Sequence, residues 1–142
     1  MIQAQFREIL RNYKRVAIAG GPRMGKSTLA KLVNDRPVFG SDAYRNLPWT
    51  DVPLKIISDI GELPAFVVEG VQVPRALRKG LAVDVVVYLT RPKVTERLKG
   101  QVSMAVGCRT VFDEWHAKNR ELPVYFEGLK DEALSLLSHR SA

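Results

Sequence analysis

The sequence predicts an α/β protein in three layers, with a five-stranded parallel sheet between helices and a short helical lid. Three observations predict it. Short apolar runs alternate with segments of helical period along the chain. The runs are apolar at consecutive positions, as strands buried on both faces are. The first run ends in a glycine-rich loop that leads directly into a helix, and parallel strands need connections of that length.

The elements follow in order. Ile2, Phe6, Ile9, Leu10 and Tyr13 recur at helical spacing, with Arg7, Arg11 and Lys14 mostly elsewhere on the wheel, which predicts an amphipathic opening helix. Residues 16–19 form the first strand, stopped by Gly20 and Gly21, and residues 27–33 read as helix. Residues 37–39 are a brief second strand ending at Gly40, followed by the polar segment 41–44. Trp49, Val52, Ile56 and Ile60 recur every three or four residues, which favours helix over 49–60, closed off by Pro64. Residues 65–68 and 83–89 are the third and fourth strands, the latter interrupted only by Asp84. Residues 91–120 are helical, carry seven Lys or Arg against three acids, and contain Gly100 and Gly107, which predicts a mobile basic cover. Residues 123–126 make a fifth strand and residues 131–139 a closing helix.

At 142 residues and 46% hydrophobic content the chain is expected to form one domain. No stretch approaches the roughly 18 apolar residues of a membrane span, and the opening lacks the features of a secretory signal, so a cytoplasmic protein is expected. Cys108 is the single cysteine, which excludes an intrachain disulfide, and two scattered histidines, His116 and His139, offer no zinc cluster. The charge of +7 favours a polyanionic partner, although an enzyme of nucleotides needs cations for its own phosphates.

Gly20-Gly21-Pro22-Arg23-Met24-Gly25-Lys26-Ser27 matches the pattern G-x-x-x-x-G-K-[ST] between a strand and a helix. Glycines let successive N–H groups face one anion, Lys26 reaches outer phosphates and Ser27 suits a magnesium ion. The expectation is a P-loop that binds ATP through residues 20–28, Thr28 included, with Mg2+ held at Ser27. The competing reading is a glycine-rich turn with a solvated lysine.

Parallel sheets bind ligands at the carboxyl ends of their strands. Asp42 follows the second strand there, where a carboxylate would take or orient an acceptor's hydroxyl proton; alternatively it or Ser41 caps a turn. Glu69 ends the third strand, where an acid would hold magnesium or its water; alternatively it pairs with Arg75 or Arg78. Asp59 competes for the magnesium role but sits in a segment of helical period. Arg91 and Arg97, ahead of Lys99 and Arg109, are first choices for neutralising a transferring phosphoryl group, against the alternative of a solvated face. Trp49 and Trp115 suit base stacking, but tryptophans at helical spacing more often pack in a core.

From residue 16 to about 126 the pattern resembles the compact P-loop kinases. That resemblance implies the sheet order 2-3-1-4-5 and phosphoryl transfer from ATP to a hydroxyl. It also implies Asp42 as base, Lys26, Ser27 and Glu69 serving ATP and magnesium, and arginines supplied by a lid over about 91–120. The stretch Val-Val-Glu-Gly-Val-Gln-Val-Pro-Arg-Ala-Leu-Arg ending at Arg78, with Thr-Val-Phe-Asp-Glu-Trp ending at Trp115, is similar to the phage kinases that phosphorylate 5-hydroxymethyluracil in DNA. This narrower likeness implies hydroxymethylated DNA as acceptor and, for a phage protein, the host cytoplasm. The alternatives are a kinase of a small metabolite or nucleoside and an ATP-hydrolysing switch or nucleotide-binding module.

Overall fold

The computed structural model describes residues 3–22, 24–90 and 99–127. Five strands, β1 (Arg15–Gly20), β2 (Val38–Gly40), β3 (Phe66–Glu69), β4 (Val85–Leu89) and β5 (Val124–Glu127), form one sheet in the order β2-β3-β1-β4-β5. Every neighbouring pair is parallel, as expected from the sequence. The helices are α1 (Gln3–Asn12), α2 (Lys26–Ala30), α3 (Val52–Ile60), α4 (Val73–Arg78) and α5 (Lys99–Ala117). None of the described helices is long and apolar enough to cross a membrane.

Alternate residues of the same strands supply two cores. Val16, Ile18, Val67, Val85, Val87 and Leu89 face Phe6 and Ile9 of α1 and Leu29 of α2. Ala17, Ala19, Phe66, Val68, Val86 and Tyr88 face α3, α4 and α5 on the other side. That division makes the three layers. It also explains the unbroken apolar runs of β1, β3 and β4, since these central strands bury both faces and each buried Val, Ile, Leu or Phe contributes about 1.5–3 kcal/mol.

Two charged residues tie the chain ends of these elements. Arg15 meets Asp84 with Nη2–Oδ1 at 2.8 Å, while its main-chain N–H donates to Oδ2 at 2.9 Å, so the polar residue before β4 locks the starts of β1 and β4. This hydrogen bonding holds the Asp84 carboxyl below its ordinary range. Arg36 donates to the carbonyls of Leu10, Tyr13 and Lys14, which satisfies the C-terminal end of α1.

Several boundaries differ from expectation. Regular α2 is five residues, continued to Val33 by tighter turns from Leu32 to Leu29 and from Val33 to Ala30. Helix α3 begins at Val52, because Asp51 closes a turn on Pro48, and it ends at Ile60, before Pro64 is reached. The expected cover over 91–120 is in its second half a core element: Cys108, Val111, Phe112 and Trp115 of α5 are buried at spacings of three and four. The closing helix at 131–139, with His139, and the segment 91–98, with Arg91 and Arg97, lie outside the described residues, as does Arg23.

Candidate functional site

The register brings the sequence-selected residues to one edge. Ile18 pairs with Glu69 and Glu69 with Gly40, so the chain leaves β1, β2 and β3 at the same end of the sheet. The loop 20–27 follows β1, a 3-10 turn (Ser41–Tyr44) follows β2, and Gly70 and Val71 follow β3.

Gly25 has φ 90 and ψ 15, a left-handed conformation that costs an L-residue with a side chain about 1–2 kcal/mol. It turns the loop directly into α2. Lys26, the first residue of the helix, is 8% exposed, and its Nζ donates to the Gly21 carbonyl at 2.6 Å. Burial pushes its ammonium below the ordinary range, opposed chiefly by the charge of Glu69. A buried lysine bonded, among the described residues, to a loop carbonyl alone is poorly compensated by them, because such a cation normally has an anionic partner at contact distance.

Glu69 is half-buried, and its Oε2 lies 2.6 Å from where a side chain at Gly40 would start, so β2 and β3 close around it. Burial pushes this carboxyl up, Lys26 holds it down and Asp42 adds a further upward push. Asp42 is exposed on the 3-10 turn, whose buried Ser41 fills the space beside Gly70. Tyr44, two residues on, donates to Asp59 Oδ2 at 2.7 Å and so fastens that turn to α3; burial helps push its hydroxyl up to about 12.

Together these groups line a cleft of about 430 Å³. Pro22, Met24, Gly25, Lys26, Ser27, Thr28, Asp42 and Glu69, all selected from the sequence, share it with Gly70, Val71 and Met104. Gly20 and Gly21, also selected, do not line it: they pack against Leu89 of β4 and Ala105 of α5. The volume falls in the usual range for a small-molecule site. Its oxygen donors, the hydroxyls of Ser27 and Thr28 and the carboxylates of Asp42 and Glu69, are hard, which fits a magnesium ion completed by water and phosphate oxygens.

The first half of α5 crosses this edge. A Cβ on Gly21 would overlap the Ala105 side chain and come within 2.7 Å of Ala105 Cα, and Met104 reaches the cleft itself. Only glycine allows the helix so close. Sequence reasoning missed this contact, because nothing in the loop motif specifies what packs on its second residue.

Other selected residues stand elsewhere. Arg109 bonds Asp113 at 2.8 Å and lies over the rings of Tyr88 and Phe126, and it does not line the cleft. Asp59 sits on α3 between Tyr44 and Lys55, consistent with its helical period and away from the Glu69 position. Cys108 is buried and accepts from Tyr88 Oη at 3.3 Å. Trp115 is in the core, whereas Trp49, also assigned to a core by its spacing, is 46% exposed because it precedes α3.

No known protein family, curated protein or solved structure matches the chain.

Proposed function

We propose that the protein is an ATP-dependent kinase of the P-loop class that phosphorylates a hydroxyl group, with 5-hydroxymethyluracil in DNA as the acceptor. One observation carries this reading: Pro22 and Met24 to Thr28 of the loop line a single cleft with Asp42 and Glu69 at the carboxyl edge of a parallel sheet of order 2-3-1-4-5. A glycine turn with a solvated lysine does not account for a lysine that is 8% exposed and feels the charges of Glu69 and Asp42.

In this reading Lys26 exchanges its bond to the Gly21 carbonyl for the outer phosphates of ATP, and loop N–H groups take the remaining phosphate oxygens. Ser27 and Glu69 hold magnesium, which neutralises charge on the phosphates. Asp42, exposed at the mouth, accepts the proton of the acceptor hydroxyl as its oxygen bonds the terminal phosphorus and the bond to the ADP oxygen breaks. Arg91 and Arg97 are proposed to approach the transferring group from the segment before α5.

The DNA acceptor is supported by the charge of +7, by Arg75, Arg78 and Lys79 on and just after α4, and by the likeness to the phage kinases in the stretch ending at Arg78. The second stretch of that likeness, 110–115, lies on α5 and supplies Val111, Phe112 and Trp115 to the core, so it bears on packing and not on the acceptor.

The test supplies labelled ATP with DNA containing 5-hydroxymethyluracil, the same DNA with thymine, free nucleosides and sugars. Phosphate should enter only the hydroxymethylated DNA, with a marked loss from low to moderate salt, and Asp42→Asn should cut that rate while keeping ATP binding. Efficient labelling of a nucleoside or sugar with none in DNA would replace the acceptor, and hydrolysis unaffected by every acceptor would replace the kinase with a switch.

A further inference from the structure

Outside the cleft lining stands an aromatic platform that the steps above do not use. Trp49 is 46% exposed, an unusual placement for the largest apolar ring in a chain that buries its other tryptophan. The guanidinium carbon of Arg75 lies 5.4 Å from the Trp49 ring centroid. Among the described residues Arg75 has no carboxylate partner, and its Nη2 reaches to 3.7 Å from where a side chain at Gly107 of α5 would begin.

The platform is held in place from below. Gln72, 2% exposed at the start of α4, donates from Nε2 to the Trp49 carbonyl at 3.2 Å. That bond fixes the orientation of the amide and leaves Gln72 Oε1 buried without a hydrogen-bond partner among the described residues. A buried amide left half-satisfied is costly, and here it anchors an exposed loop. Gln72 directly follows Val71, which lines the cleft together with Asp42, so the main chain at Trp49 is tied to a segment that borders the cleft.

An exposed ring under a half-buried guanidinium with no carboxylate partner among the described residues offers a π-face and a positive charge side by side. A base joined to a backbone phosphate presents the complementary pair. The surroundings lean positive: Arg45 lies in the same exposed loop, Arg78 ends α4 and Lys79 follows it, against Asp42 and Asp51 on the segment that carries Trp49.

We propose that Trp49 and Arg75 bind an unpaired nucleotide of a DNA strand, Trp49 stacking on its base and Arg75 holding the adjoining phosphate. The substrate class of the cleft is then a base within a strand, presented outside the stack, and not a free nucleoside. This rests on the kinase reading for what happens to the strand, but the binding itself needs neither ATP nor transfer.

The test titrates the full chain with fluorescein-labelled twelve-nucleotide oligothymidylate, without ATP, following anisotropy and tryptophan emission. Binding should quench the emission of Trp49, the exposed one of the chain's two tryptophans. Trp49→Ala should weaken binding about tenfold or more, within the range of one lost base stack, while Trp49→Phe should stay within about threefold of the wild type. Arg75→Ala should weaken binding and lower the salt slope by about 0.7, the increment of one single-strand phosphate contact. Lys26→Ala should bind the oligonucleotide as the wild type does, so that failure of phosphoryl transfer and failure of this platform give different results. Unchanged binding in Trp49→Ala, equal losses in the Phe and Ala variants, or thymidine binding as tightly as the oligonucleotide would each overturn the proposal.

Discussion

Replacing Gly21 by alanine tests how closely α5 lies on the loop. The new Cβ would overlap the Ala105 side chain and stand 2.7 Å from Ala105 Cα, a separation that real Cβ contacts do not show. Neither neighbour is the free end of a flexible side chain, so helix or loop must move. Overpacking of this kind costs about 1–3 kcal/mol. At about 4 °C per kcal/mol for a chain of this size, the melting temperature should fall by about 4–12 °C. Ala105→Gly alone should cost about 1 kcal/mol in helix propensity. Combined, the two should lose less than their sum by at least about 1 kcal/mol, since the worst overlap is gone, yet stay below wild type because Ala105 Cα remains in place. Thermal melts of the four proteins of this cycle measure the coupling. A Gly21→Ala protein that melts within about 1 °C of wild type, or a double variant that loses the full sum, would show that α5 does not rest on the loop.

Two further predictions concern acids. Glu69 is pushed above its ordinary value of 4.5, so the folded state holds its proton more tightly than the unfolded state, and its contribution to stability is full below about 4.5 and lost as pH rises through the folded value. Wild type should therefore gain on Glu69→Gln as pH is lowered from 7 towards 4.5; a constant difference in melting temperature over that window would contradict the assignment, and in activity the variant should need more magnesium. Asp84 is shifted the opposite way, so its ion pair with Arg15 stabilises the fold above about 3.8 and is lost as pH falls through the lowered folded value. Asp84→Asn should cost about 1–2 kcal/mol at pH 7 in denaturant titrations, a deficit that closes in acid and whose persistence at pH 2 would count against the ion pair as its cause.

What the sequence made legible follows from what is local in it. Residues 16–19 and 65–68 read correctly as strands because a strand buried on both faces is apolar at every position, and the glycine pattern at 20–27 carries its own turn chemistry. Trp49 was misread because its three-residue spacing from Val52 continues a helical pattern into a turn that Pro48 and Asp51 close. Helix α5 held a readable signal, Cys108, Val111, Phe112 and Trp115 at spacings of one and two turns, which its basic composition outweighed. Pairings chosen by topology left no local trace: Arg15 with Asp84, Arg36 on the carbonyls that end α1, Gln72 on Trp49 and Ala105 on Gly21 each join residues more than twenty positions apart.

The central claim is that the loop 20–28 binds the phosphates of ATP through Lys26, and a thermal melt with and without ATP and magnesium tests it most directly. A ligand that binds only the folded state at about a hundredfold its Kd adds about 2.7 kcal/mol, which for a chain of this size is a rise of about 10 °C. The wild type should show that rise. Lys26→Ala should melt cooperatively, no lower than the wild type without nucleotide since the buried charge is gone, and should show almost no rise with it. A wild type whose melting temperature does not respond to ATP and magnesium, or a Lys26→Ala protein that responds as fully as the wild type, would contradict the account.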